Sequence, residues 1–552
     1  MADQVTHNNE NVVEGRIAAC ISGSAELEEF ARLMLSGADG EVLATIADDK
    51  LSELVRSAYE RHETKRPGVH QISVRRVDGL GPDGDPRTIV EIINDDMPFL
   101  VDSALGEIQA RGHQAYLVLH PIMKVERSPS GTRRRIVGRG DGHWGDGLQE
   151  SYIFAIVESM SDEAARNLHA ALDAIMREVR VAVTDWRAMM SRLDDAIKAL
   201  EKRPPQIAPG ALSESIAFCK WLIDGQFTFL GVREYRLDGG TETGRLAPVA
   251  DSGLGVLRDP ELLVLSKGGK DLELTDEIRQ HMFSSQPLII TKSDIRSRIH
   301  RRAYMDYIGL KTYGADGQQS GELRLVGLFT SQAYTARPTQ IPFLRHKMDA
   351  VIRHTGFAPG SHDAKAIINV LEHFPRDELF RIGDRMLAQW AREILDLDLR
   401  PRVRLFARRD RFDRFVSALV YVPRERFSTK IRVEIGEALA RAYKGHISAF
   451  TPFFPEASLI RVHYIVGRSE DVPPSEIDDH SLEAEIADIA QMWEDRLRGH
   501  MEKSGPKLRA LAPKYGGVRR EFPGQPRARG YPEDRTARAG TAGGGGFLSP
   551  GR

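Results

Sequence analysis

The sequence predicts a multidomain α+β protein in which ferredoxin-type βαβ units and an antiparallel-sheet domain are joined by helical segments. Three observations carry that expectation. Residues 70–180 run strand, strand, helix, strands, helix, and residues 400–470 repeat this order in different letters. Between them, over 223–335, short β-type runs alternate with turn clusters. The 552 residues suffice for about three to five domains, long enough to bury several cores without disulfide or metal staples.

Residues 1–24 are polar and read as a disordered lead. A helical segment follows over 25–66, with Leu27, Phe30, Leu33 and Met34, then Leu51, Leu54, Val55 and Ala58, at helix spacing. In the 70–180 unit, Gln71–Val77 and Thr88–Ile93 alternate as strands around a turn at 79–86. A helix is expected over Met97–Ala110, with Asp96 placed to cap it, Pro98 in its first turn and Gly112 beyond its end. Gln114–Val125, Arg133–Val137 and Tyr152–Val157 read as strands, and Asp162–Val179 as a helix striped by Leu168, Leu172, Ile175 and Met176. The pattern describes a sheet with helices on one face.

A helical linker covers 186–222, broken at Pro204–Pro205. Over 223–335, Phe227–Tyr235, Gly255–Leu257, Leu262–Leu265, Leu288–Thr291, Met305–Thr312 and Glu322–Thr330 read as short strands, with a helix near 275–283. A second helical linker spans 340–398. In 400–470, strands Val403–Phe406, Val416–Val422, His446–Phe450 and Leu459–Val466 surround the helix Lys430–Tyr443, and a polar helix covers 475–503. The Gly-, Pro- and Arg-rich stretch 505–552 cannot bury enough surface to offset chain entropy and is expected to be disordered. Its composition is that of GC-rich DNA read in a wrong frame, so a truncated, frame-shifted tail is the expectation.

Charge and composition exclude several classes. Lys plus Arg total 77 against 79 Asp plus Glu, a net charge of −2 that lacks the basic excess of a nucleic-acid or membrane-surface protein. No apolar run approaches the ~18 residues of a membrane span, and the N-terminus lacks the form of a signal peptide. Two cysteines, Cys20 and Cys219, support neither a disulfide framework nor a zinc site. The expectation is a cytoplasmic protein with no metal, nucleic-acid or membrane partner.

Two motifs are candidate sites. The loop Asp95, Asp96, Met97, Pro98, Phe99, Leu100 joins a strand to a helix. Its carboxylates suit the ammonium of an amino acid, and the helix N–H groups suit a carboxylate. The same letters also describe a plain capped helix. The run 292–302 collects Lys292, Arg296, Arg298, His300, Arg301 and Arg302, which fits an anion contact or an interface to a neighbouring domain. Other motifs have simpler explanations. KGG at 267–269 is a hairpin turn. GLGVLR at 253–258 has Arg258 where a dinucleotide fingerprint needs its third glycine. GRGDGHWGDG at 138–147 misses the calcium-loop spacing. The basic runs 133–136 and 404–414 read as solvated strand edges. No nucleophile elbow, P-loop or kinase signature occurs, and no catalytic residue is assigned.

Longer blocks carry a resemblance. NDDMPFLVDSALGEIQARG, LHPIMKVERSPSG, ESYIFAIVE, TKSDIRSRIHRRAYMDYIG, GELRLVGLFTSQAY, IPFLRHKMDAVI, SHDAKAIINVLEHFPRDELF and RFDRFVSALVYVPRERFST occur in order over roughly residues 25–500. Together they resemble the N-terminal region of the large bacterial NAD-dependent glutamate dehydrogenases. The resemblance implies ACT-like domains over 70–180 and 400–470, a PAS-like domain over 223–335, and helical motifs between them. It further implies that the catalytic lysine and aspartate and the NAD-binding core belong to a part of the family's chain with no counterpart here. The implied role is regulation and assembly, with NAD bound only in the full-length parent. The implied partners are the catalytic part, other subunits of a homo-oligomer, and an amino-acid effector. A free-standing ACT/PAS-type sensor is the alternative. Asp96, Pro98 and Leu100 resemble the amino-acid-binding turn of ACT domains, Asp-x-Pro-Gly followed by aliphatics. Phe99 takes the place of the glycine, and its bulk opposes close approach of a ligand to the backbone.

Overall fold

In the computed structural model, the described residues are 12–491 apart from 22, 82–83, 143–148, 240–244, 268–269, 272–278, 280–282 and 469–477. They divide into two compact units. The first holds the chain up to Asp271 together with Arg279–Ala336 and Ile341–Phe343, and the second holds Arg337–Gln340 and the chain from Leu344.

The lead expected to be disordered carries a helix, α1, at 12–20. Val13, Ile17 and Ile21, spaced four apart, are buried in the same core as Phe30, Leu43 and Val55. A polar composition hid an apolar stripe of helical period. Helices α2 (Ala25–Leu35), α3 (Gly40–Ala44) and α4 (Asp48–Arg61) continue the layer, α2 capped by the Ser24 hydroxyl accepting from the Leu27 N–H.

These helices cover one face of a sheet made from β1 (Gln71–Val77), β2 (Arg87–Asp95), β3 (Ala115–Leu119), β4 (Ile122–Arg127), β5 (Arg133–Arg139) and β6 (Gln149–Val157). The order is β1-β2-β6-β4-β5, with β3 also on β6. The expected single strand 114–125 is broken at Pro121, whose missing N–H interrupts the ladder; β3 then pairs with 154–157 of β6 and β4 with 149–151. Alternation sorts the side chains. Ile89 and Ile93 of β2 and Tyr152, Phe154 and Ile156 of β6 join the α1–α4 core. The opposite parity, Val90, Ile92, Ile153, Ala155 and Val157, is buried as well. That second set faces α5 (Leu100–Ala110) and α6 (Asp162–Thr184), which pack on each other. The sheet is therefore covered on both faces, not one, and every residue of β6 is buried.

Helices α7 (Trp186–Lys202) and α8 (Pro209–Trp221) lead into an antiparallel sheet. Its main strands are β7 (Phe227–Asp238), β8 (Arg245–Pro248), β12 (Leu288–Arg296), β13 (Tyr304–Tyr313) and β14 (Gln319–Phe329), in the order β12-β13-β14-β7-β8, with β9 (Leu254–Gly255) on β7. The turn 268–269 lies outside the described residues, but the strands flanking it, β10 (Ser266–Lys267) and β11 (Lys270–Asp271), pair as a hairpin. The expected strand 262–265 does not form. Val264 and Leu265 are buried in irregular chain, and the Val264 carbonyl accepts from the Ser293 hydroxyl at 2.8 Å. The helix expected near 275–283 falls largely outside the described residues. The short helix α9 (Ser331–Thr335) follows β14.

In the second unit, α10 (Leu344–Thr355), α11 (His362–Glu372), α12 (Arg376–Arg381) and α13 (Asp384–Leu399) bury Met348, Ile367, Leu371, Leu379, Leu387 and Ile394. The sheet β15 (Arg404–Arg409), β16 (Phe415–Pro423), β17 (Gly445–Phe453) and β18 (Leu459–Arg468) has the order β15-β16-β18-β17. Helices α14 (Thr429–Ala442) and α15 (Asp479–Ile489) pack Ile431, Ile435, Leu439, Leu482 and Ile486 into one core with Val416, Val420 and Val462. The opposite face meets the helices through Trp390 and Phe406, whose rings lie 5.3 Å apart. The tail 505–552 lies outside the described residues.

Candidate functional site

The 95–100 loop is built where β2 leaves the sheet. The Asp96 N–H still donates to the Gln149 carbonyl at 3.0 Å, so Asp96 belongs to the sheet end and not to the helix. The helix starts only at Leu100, with Phe99 at its N-cap and no side-chain cap bond, which corrects the expected Asp96 cap. Phe99 has φ 76°, the left-handed backbone that glycine adopts freely. The turn thus keeps a glycine conformation at a residue that is not glycine.

Asp95 is fully engaged within the protein. Its carboxylate accepts from the buried Lys65 ammonium, from the Gly68 N–H at 3.0 Å and from Arg180 Nη1 at 2.9 Å. Burial pushes its carboxyl pKa up, but the hydrogen bonds and charges of Lys65 and Arg180 outweigh burial and hold it below the usual carboxylate range. Asp96 is half-buried, and burial raises its carboxyl pKa against the backbone bond from Met97. Met97 and Leu100 are buried, and Pro98 is exposed.

Beneath Asp95 lies a charge cluster that the sequence reading missed. Glu150 takes a two-pronged contact from Arg127, at 2.7 and 2.8 Å, and lies 3.1 Å from the fully buried His62 and 3.6 Å from Lys65. Burial opposes ionisation of Glu150, yet Arg127, His62 and Lys65 bring its pKa to about 2. Burial lowers the His62 pKa against the opposing pull of Glu150. Polar letters, Gln149-Glu150-Ser151, opening an otherwise apolar strand that is buried throughout are the signal available in the sequence.

The basic run does not converge on one point. Lys292 pairs with Asp306 at 2.6 Å, and Arg296 stacks on Tyr304 at 4.8 Å. Arg301 donates to the Phe329 carbonyl at 2.7 Å and lies over Tyr334. The other three reach the 70–180 region. Arg298 pairs with Glu178 of α6, and Arg302 with Glu107 of α5. The His300 N–H donates to Ser103 Oγ at 2.9 Å, and His300 Nδ1 lies 3.0 Å from Asp102. Its ring packs on Phe99, with centroids 5.1 Å apart. The two candidate segments thus meet at the first turn of α5.

GLGVLR is also placed. Asp185, at the joint of α6 and α7, accepts from the Gly255 N–H at 2.8 Å and from Arg258 Nε and Nη2 at 2.5 and 2.6 Å. A Cβ at Gly255 would lie 2.1 Å from the Leu230 carbonyl oxygen, and its φ is +60°. Its glycines serve a tight turn.

Sequence comparisons add the family. Residues 30–172 match the glutamate dehydrogenase ACT1 domain, 341–400 its helical motif 1, and 404–494 its ACT2 domain. The NAD-specific glutamate dehydrogenase of Halomonas elongata is 34 % identical over 482 residues, 86 % of this chain and 29 % of that protein. The protein of that name from Pseudomonas aeruginosa is 32 % identical over 409 residues, 74 % of this chain and 25 % of its own. The Mycobacterium tuberculosis protein of the same name is 26 % identical over 475 residues, 83 % and 27 % of the two chains. This chain belongs to the N-terminal region of the NAD-specific glutamate dehydrogenase family.

The chain spans 25–29 % of the length of these relatives. In glutamate dehydrogenase terms, the Asp95–Leu100 loop, the Glu150 cluster and β1–β6 lie in the ACT1 match, and α10–α13 lie in helical motif 1. The basic run 292–302 lies between the matched segments.

Proposed function

We propose that this chain is the regulatory and assembly region of an NAD-dependent glutamate dehydrogenase whose catalytic part lies elsewhere in the parent protein. The parent reaction is oxidative deamination of L-glutamate to 2-oxoglutarate and ammonium, with hydride passing to NAD. The observation that carries the reading is the order ACT1, helical motif 1, ACT2 along a chain spanning only a quarter or so of its relatives. Every strand pair among the described residues is antiparallel, unlike the parallel sheet on which a dinucleotide fold is built. The partners in this reading are the catalytic part, the other subunits of a homo-oligomer in the cytoplasm, and an amino-acid effector. The described residues contain no helix long and apolar enough to cross a membrane. Within the reading, the PAS-like domain is the β7–β14 sheet.

Purified 552-residue chain supplied with L-glutamate and NAD is expected to form no NADH. Steady NADH production would overturn the proposal. The rival reading, a free-standing ACT/PAS-type sensor, separates from it when the catalytic part is expressed as a second polypeptide. Co-purification of the two favours the assembly role.

A further inference from the structure

We propose that a cavity between helix α6 and the β7–β14 sheet binds a small organic carboxylate bearing an aliphatic chain. The cavity has a volume of about 510 Å³, within the range of roughly 300–1,000 Å³ common to small-molecule sites. No residue of the Asp95–Leu100 loop is among the lining residues, and binding there does not depend on the dehydrogenase reading.

The walls divide by chemistry. Leu230 of β7, Met305 of β13 and Ile299 of the segment before β13 are buried at the floor, joined by Val256, Leu262 and Ile295. Arg177, Arg258, Arg296 and Arg298 also line the cavity, with Glu178 and Asp259 as the acids among its described lining residues, while Asp173 and Asp185 pair with Arg177 and Arg258 from beside it. Arg177, Arg258 and Arg296 are exposed and stand where the cavity meets solvent. An apolar floor under a guanidinium-rich mouth fits a ligand with an aliphatic body and an anionic head.

The guanidiniums are positioned before any ligand arrives. Asp185 holds Arg258 through two hydrogen bonds and fixes the turn through the Gly255 N–H. Glu178 grips Arg298 through Nε and Nη2. Tyr304 stacks under Arg296. Each two-pronged contact uses only part of a guanidinium's donor set, so further N–H groups remain for an acceptor. A carboxylate accepts at both oxygens and donates nothing, whereas an amide would turn its own N–H groups toward these donors. Because the guanidiniums already face protein carboxylates, the expected Kd is modest, on the order of 0.1–1 mM.

The test is calorimetric titration of the intact chain with hexanoate, with hexanamide as the uncharged control. Hexanoate is expected to bind, and hexanamide to bind about tenfold or more weakly, since a charge-assisted hydrogen bond is lost. Val256→Phe fills the cavity and should abolish hexanoate binding. Arg296→Gln, at an exposed side chain, should weaken it about tenfold and serves if the Phe variant does not fold. Asp96→Asn should leave it unchanged. Absence of hexanoate binding, equal binding of hexanamide, or full affinity in folded Val256→Phe or Arg296→Gln protein would each overturn the proposal. Loss of binding in Asp96→Asn would move the site to the loop and overturn it too.

Discussion

The ring of Phe99 packs on the imidazole of His300 with centroids 5.1 Å apart, and both residues have left-handed backbones, φ 76° and 66°. A non-glycine residue in that region carries a strain of about 1–2 kcal/mol. Here the cost falls on two residues that touch across distant segments of sequence, so each holds the other's turn. Phe99→Gly relieves the backbone and loses the ring, while Phe99→Ala loses the ring and keeps the strain. The Gly variant is expected to be more stable than the Ala variant by about 1 kcal/mol in urea unfolding. Equal stabilities would show that the turn relaxes out of its left-handed form.

Arg302 and Glu107 form a pair in which the carboxylate is only 7 % exposed. Glu107 also accepts from Arg111 at 2.7 Å. Glu107→Ala leaves Arg302, whose pKa burial lowers, without this counter-charge. The expected loss is about 1–3 kcal/mol, less than for a fully buried pair because Arg302 is partly solvated. Hydrogen exchange should quicken at 297–302 and at the start of α5 together. Faster exchange confined to α5 would show that the 297–302 segment is held by other contacts.

Acid should unfold the first unit through Glu150. Its folded pKa of about 2 lies below the ordinary 4.5, so its contribution to stability is complete above pH ~4.5 and is lost as pH falls towards 2. Asp95, also lowered, acts in the same direction. Glu150→Gln should be less stable at neutral pH and show a flatter acid limb in its unfolding midpoint. A variant with an unchanged acid limb would place the acid sensitivity elsewhere.

The second unit holds a different titrating group. His463, on β18, is partly buried beside Ser417, Nε2 to Oγ 2.8 Å, and desolvation drives its pKa from 6.5 to about 4 despite the Glu378 charge. The neutral ring therefore contributes stability that is complete above pH ~6.5 and declines as pH falls towards 4, on the order of 3 kcal/mol in all. His463→Gln should remove most of that slope between pH 6.5 and 4. Glu378, ionised at 0 % exposure and paired with Arg408, is the more costly side chain to alter: Glu378→Gln is expected to lose about 3–5 kcal/mol. A loss below 1 kcal/mol would mean that water enters the site.

Much of the fold is local physics and was legible in the letters. The alternation of Gln71–Val77 gave β1 its limits, and the stripe Leu168, Leu172, Ile175, Met176 gave α6. The N-terminal helix was missed because Val13, Ile17 and Ile21 stand among polar neighbours, and three apolar residues become a helix face only when a core receives them. The break at Pro121 is visible as a letter, but the apolar residues on either side of it, Leu117–Leu119 and Ile122–Met123, outweigh it.

The candidate loop shows where the letters stop. Sequence by itself determined that two carboxylates, a proline and a helix start come together at 95–100, and that a bulky residue replaces the glycine of an ACT turn. Only the tertiary structure decided that Lys65 and Arg180 occupy Asp95, that His300 covers Phe99, and that Asp185 sets Arg258 at the mouth of a cavity. Periodicity follows from the geometry of one helix or strand and is written in neighbouring residues. Ion pairing depends on which charges the chain brings together from far apart, and no local pattern records that.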